Sequence, residues 1–96
     1  LQAISSTLYE EVLFDQDGIT SRDWETYPIL NFAQAPPMDV IILDRPGTPP
    51  LGAGEASSEP VAAAIANALF DAAGVRARRL PMTPENLRKA AADADG

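Results

Sequence analysis

From Arg45 to Pro60 the chain reads RPGTPPLGAGEASSEP, sixteen residues holding four prolines, three glycines and a single large apolar side chain, Leu51. Proline removes a backbone donor and glycine raises the entropy lost on ordering, so this run predicts a loop. Loops of this length without structure of their own are usually functional or disordered. The flanks must therefore supply whatever core the 96 residues can build. A chain this short buries only about 60–65% of its unfolded surface. Its apolar share is 46%, but aromatics contribute 6% and alanine inflates the rest. Alanine buries little area. Composition thus predicts a thin core and a segment leaning on a larger body. The first residue, Leu1, fits a chain processed, engineered or cut from something longer.

Before the loop, the spacing of Ile4, Leu8 and Val12 in LQAISSTLYEEVLF predicts a helix, although Ser5, Ser6 and Thr7 weaken its propensity. The DQDG sequence at Asp15–Gly18 is a turn signal. Its flanks can pair as a hairpin, which would end the helix near Glu11. TYPILNFAQAPP reads as irregular or extended, since Tyr27 precedes a proline. MDVIILD is the clearest predicted strand, and the unbroken run Val40–Leu43 predicts burial on both faces.

After the loop, Pro60 to Ala73 predicts a helix with Ser57 or Ser58 as cap and Gly74 as its stop. Val61, Ile65, Leu69 and Ala72 define one face. A last helix begins at MTPENL, with Thr83 as cap, Pro84 first, and Met82 placed to pack on Leu87. The tail AADADG is expected to fray. The fold class is α+β: an N-terminal helix, a hairpin or extended segment, one central strand, the Gly-rich loop, an alanine-rich helix and a short C-terminal helix. Residues 1–96 read as a single segment, without internal repeat or boundary.

Seven Lys and Arg against fourteen Asp and Glu give a formal charge of −7. Nucleic acid is excluded as a partner, because cations that neutralise phosphates dominate that affinity. With neither Cys nor His, the chain cannot build the usual zinc sites, an iron–sulfur cluster, or a Ser–His or Cys–His nucleophile of its own. No apolar run approaches the ~20 residues that span a bilayer as a helix.

Chemistry concentrates in LGAGEASSEP. Gly52 and Gly54 flank Ala53, and Glu55 follows just before the alanine-rich helix. Glycines let a backbone approach a bulky group closely. A carboxylate delivered by such a loop can act as a general base, a metal ligand or a hydrogen-bond acceptor. The same residues also read as turn glycines beside an exposed acid favoured near a helix N-terminus. A third glycine is missing from the dinucleotide fingerprint.

The order of motifs is more specific than any one of them. STLYEE, YPIL, APPMDVIIL, GAGE, PVAAAIANALFDAAG and RARRLPMTPE together resemble the ending of molybdenum hydroxylase large subunits of the xanthine-oxidase family. The isoquinoline-oxidoreductase and aldehyde-dehydrogenase branch is the most similar. The resemblance reaches from near the start to about Ala90. It implies that residues 1–96 are the C-terminal part of a molybdenum-cofactor-binding domain. It further implies an oxidoreductase that hydroxylates an aldehyde or an N-heteroaromatic carbon with water as the oxygen source. A glutamate at the position of Glu55 is then the catalytic base toward a hydroxide on molybdenum, and Gly52, Ala53 and Gly54 match the loop that passes the pterin cofactor. Implied partners are the remainder of the molybdenum-binding subunit, an iron–sulfur subunit or domain, and a small-molecule substrate.

This chain departs from the branch in carrying Ser57, Ser58 and Glu59 where prolines often follow the glutamate. Glu59 is expected at the helix start, exposed. Asn67 is expected to bond backbone. Arg76, Arg78 and Arg79 are expected to answer a helix dipole or nearby acids. Trp24 and Tyr27 are expected in core or subunit packing rather than a substrate funnel. The isolated chain should be inactive and bind no cofactor alone, with Glu55 exposed, residues 45–58 mobile and self-association possible through DVIIL. The alternative function is a non-catalytic fragment for interaction, assembly or dimerisation.

Overall fold

The computed structural model describes residues 1–94. Three helices and one short hairpin make up its regular structure, in the order α1 (Gln2–Leu8), β1 (Phe14–Asp15), β2 (Gly18–Ile19), α2 (Glu59–Ala73) and α3 (Pro84–Ala94), with a 3-10 turn at Phe32–Gln34. The α+β class is as expected.

Helix α1 stops at Leu8, shorter than the periodicity alone predicts, because the following residues turn into the hairpin. Phe14 pairs with Ile19 and Asp15 with Gly18, antiparallel. Gly18 takes φ 128°, a torsion that side chains disfavour. The Asp15 carboxylate accepts the Asp17 amide at 2.8 Å and closes the turn.

The residues that weaken α1 as a helix are the ones that join it to the rest. Ser5 and Thr7 are buried, whereas Val12 of the expected apolar face is exposed. Ser5 Oγ accepts the Leu30 amide at 2.9 Å, and the Thr7 carbonyl accepts the Met82 amide at 2.7 Å. Thr7 Oγ1 satisfies itself on the Ala3 carbonyl at 2.7 Å. Ala77, Pro81 and Met82 are buried apolar residues among those described, and Met82 adjoins this joint. Helix α1 also lies against α2.

Helix α2 forms as expected: Pro60 sits in the first turn and Gly74 ends it in the left-handed region at φ 69°. Val61, Ile65 and Leu69 are half-buried, and Ala72 is exposed. The expected serine cap does not form, because Ser58 turns its hydroxyl back to Glu55. Helix α3 begins at Pro84, and Thr83 Oγ1 accepts the Asn86 amide at 3.2 Å, the expected cap. Ala91–Ala94 continue α3 instead of fraying, and the rest of the expected tail lies outside the described residues.

One expectation fails clearly. MDVIILD forms no strand; Val40–Leu43 is unpaired, with each residue exposed. A strand requires a neighbour, and β1 and β2 pair with each other and are two residues long. The chain therefore stays open. Its radius of gyration is 17.1 Å, against about 13 Å for a compact 100-residue domain. Its accessible surface of 8152 Å² exceeds the roughly 5,300 Å² of a folded monomer of this mass.

Candidate functional site

The Gly-rich segment runs free from the 3-10 turn to α2. Every residue from 36 to 60 is exposed. The glycines of GAGE have no positive φ, unlike Gly47 at 88°, so their backbone torsions are open to other residues. A Cβ on Gly52 or Gly54 would meet nothing within 4 Å, as is also true of Gly18, Gly47 and Gly74. A bulky group can approach this side of the loop, which the chain alone does not enclose.

Glu55 is exposed, and its backbone is anchored. Its carbonyl accepts both the Ser58 amide at 2.9 Å and the Ser58 hydroxyl at 2.7 Å. These bonds tie the carboxylate-bearing residue to the first turn of α2. A serine three residues after the acid is a turn signal in its own right, and it competes with capping for the same hydroxyl. Glu59 lies in the first turn of α2, exposed as expected. Gly52, Ala53, Gly54 and Glu55 are thus consecutive on one accessible loop, without a burying wall around them.

Of the arginines after α2, Arg76 and Arg79 have side-chain partners among the described residues. Arg76 donates to Asn67 Oδ1 at 3.0 Å and lies 3.8 Å from the centre of the Phe70 ring. Asn67 therefore answers a side chain, rather than the backbone. Arg79 pairs with Glu11 at 3.5 Å, in line with the expected pairing to acids. Both interactions are exposed, so each contributes little.

Trp24 and Tyr27 meet in an open groove of about 760 Å³ beside α1, which Ile29, Phe32 and Ser58 also line. Trp24 is exposed, not core. Tyr27 donates its hydroxyl to Glu10 Oε2 at 2.9 Å. That bond, aided by burial and the negative charge of Glu10, holds the phenol pKa above its ordinary 10.0. Asp23 accepts from the Thr26 amide and hydroxyl and the Glu25 amide. Those bonds, led by the Thr26 amide, hold its carboxyl below the ordinary 3.8 and fix the turn that presents Trp24.

Known proteins supply the context that this loop lacks. Over 90 residues, 94% of the chain, the sequence is 49% identical to a subunit of nicotinate dehydrogenase from Pseudomonas putida, spanning 8% of that protein. It is 36% identical over 88 residues, 91% of the chain, to membrane-bound aldehyde dehydrogenase (pyrroloquinoline-quinone) of Gluconacetobacter polyoxogenes, spanning 11% of it. It is also 36% identical over 96 aligned residues to the gamma subunit of the 6-hydroxypseudooxynicotine dehydrogenase complex of Paenarthrobacter nicotinovorans, with 91% of this chain and 12% of that protein covered. No family model matches the chain, and no solved structure matches it. The chain spans about a tenth of the length of these relatives, and the match extends over nearly all of its own. Over nearly all of its length, the chain is homologous to one segment of dehydrogenase subunits, in keeping with a molybdenum-hydroxylase-like family.

Proposed function

We propose that this chain is the base-bearing segment of a molybdenum-dependent oxidoreductase that hydroxylates an aldehyde or an N-heteroaromatic carbon, and that Glu55 is its catalytic base. The observation that carries this reading is the 49% identity to a nicotinate dehydrogenase subunit over 94% of the chain, a stretch in which GAGE and the helix after it lie. When bound, the molybdenum–pterin group would supply two-electron redox chemistry, with water as the oxygen source. The fit rests on Gly52 and Gly54, beside which the structure leaves open space. Gly52, Ala53 and Gly54 would let the cofactor pass close to the backbone, while binding itself falls to the rest of the subunit.

Glu55 would accept a proton on its carboxylate. Proximity to the α2 N-terminus suits a negative charge, and enclosure by the rest of the subunit would exclude water from around it. The Ser58 bonds to its carbonyl limit where the side chain starts, and positioning is what a general base requires. The remaining parts of the enzyme, an iron–sulfur subunit or domain among them, would carry electrons away.

The test is Glu55→Gln in the complete enzyme, with turnover and metal content measured together. The substitution keeps shape and removes basicity. Turnover is expected to fall by about 100- to 10,000-fold at unchanged molybdenum content. Undiminished turnover would remove Glu55 from the chemistry and leave the segment a role in assembly. Because the Gluconacetobacter relative is named for pyrroloquinoline quinone, the metal analysis is decisive: quinone without molybdenum would overturn the cofactor.

A further inference from the structure

The segment Asp39–Asp44 is the most apolar exposed stretch of the molecule. Val40, Ile41, Ile42 and Leu43 are 79%, 85%, 87% and 73% exposed. Among the described residues, no hydrogen bond joins residues 36–44 to another part of the chain through the backbone. Neighbouring residues of an extended chain point to opposite faces, so Val40 and Ile42 would share one face and Ile41 and Leu43 the other. Both faces are apolar. That pattern suits a strand inside a sheet covered by a layer on each side, and does not suit an edge facing water.

We infer that Asp39–Asp44 is an interior strand of a sheet whose other strands and covering layers come from the rest of the longer subunit. This rests on the reading of the chain as a segment of such a subunit. A second copy of the chain is a poorer partner. In the antiparallel register that pairs Val40 with Leu43 and Ile41 with Ile42, Asp39 of one copy stands opposite Asp44 of the other. In a parallel register each aspartate faces its own counterpart. Like charges directly opposite are destabilising, and each copy already carries a formal −7. A two-stranded ribbon would also leave both apolar faces in water, and such ribbons are marginal alone. The relatives, by contrast, contain roughly ten times the length of this chain, enough to supply strands and two covering layers.

Hydrogen–deuterium exchange on peptides covering residues 39–44 tests the inference in the isolated chain and in the full-length subunit. The isolated chain should exchange at the rate of an open chain. The subunit should slow that exchange by about 1,000-fold or more, as core strands do. Rapid exchange in the subunit overturns the inference, and so does protection in the isolated chain accompanied by a dimer in sedimentation, which would assign the strand to a second copy. Ile41→Asp and Ile42→Asp probe the two faces separately. Each is expected to reduce the yield of soluble subunit sharply, while Ile41→Val and Ile42→Val preserve it. Full tolerance of either aspartate would place that face in water and refute the covered strand. The catalytic reading fails separately: protection of 39–44 alongside an active Glu55→Gln enzyme keeps the strand and retires the base.

Discussion

Around Thr7 the chain closes on itself. The Met82 amide reaches the Thr7 carbonyl, the Leu30 amide reaches Ser5, and Met82 is buried there. From Pro36 to Pro60 it does not close anywhere: every residue is exposed, and the hydrogen bonds there, such as Thr48 to Arg45 and Ser58 to Glu55, link near neighbours. Apolar content does not explain the difference, because the exposed stretch contains Val40–Leu43 while the joint is built partly on a serine and a threonine. What differs is where the partner comes from. The joint finds its partners within the chain. The open stretch carries the candidate base and the unpaired Val40–Leu43 run, and the described residues bury neither.

The contrast should be greatest with Glu55→Gln. Turnover of the complete enzyme falls by about 100- to 10,000-fold, while urea unfolding of the isolated chain stays unchanged because Glu55 is exposed. A destabilised isolated chain would mean that the loop has internal contacts, and the comparison would break. Met82→Ala should do the reverse within this chain. Burial of Met82 at 6% exposure makes a loss of about 2 kcal/mol reasonable, the low end for such truncations because its surroundings are thin. Denaturant titration by circular dichroism measures it. Thr83→Ala removes the acceptor of the Asn86 amide and should cost about 1 kcal/mol, read as earlier melting of α3.

A smaller effect comes from acid. Lys89 donates to Glu85 at 2.7 Å, and that bond, with the Lys89 charge, holds the Glu85 pKa below its ordinary 4.5. The folded value is lower than the unfolded one, so the contribution is present above pH 4.5 and is lost as pH falls through the folded value. Helicity followed through the carboxylate range should show a slight loss in α3, absent in Lys89→Met. Least of all should change with Gly52→Ala in the isolated chain. With nothing within 4 Å of the added Cβ and no positive φ, unfolding should be unaltered; any sizeable shift would show that the loop is already enclosed.

Local signals settled much of this protein. Pro60 and Gly74 fixed the ends of α2, and Thr83 and Pro84 the start of α3, because caps and breakers act within a turn of where they stand. The DQDG turn fixed the hairpin in the same way, and the order of short motifs pointed to oxidoreductase subunits, in keeping with the 49% identity to a nicotinate dehydrogenase subunit. Placement of Glu55 on an exposed Gly-rich loop was also legible, since nothing in RPGTPPLGAGEASSEP can bury itself. Only tertiary structure decided the rest. Ser5 joined α1 to the rest because its hydroxyl meets the distant Leu30 amide, and Thr7 did so through its backbone carbonyl, which periodicity does not register. Ser58 turned to the Glu55 carbonyl instead of capping α2. Val40–Leu43 has the composition of a strand but remains unpaired, because β-structure depends on a neighbour at a distance in sequence, and the described residues supply none.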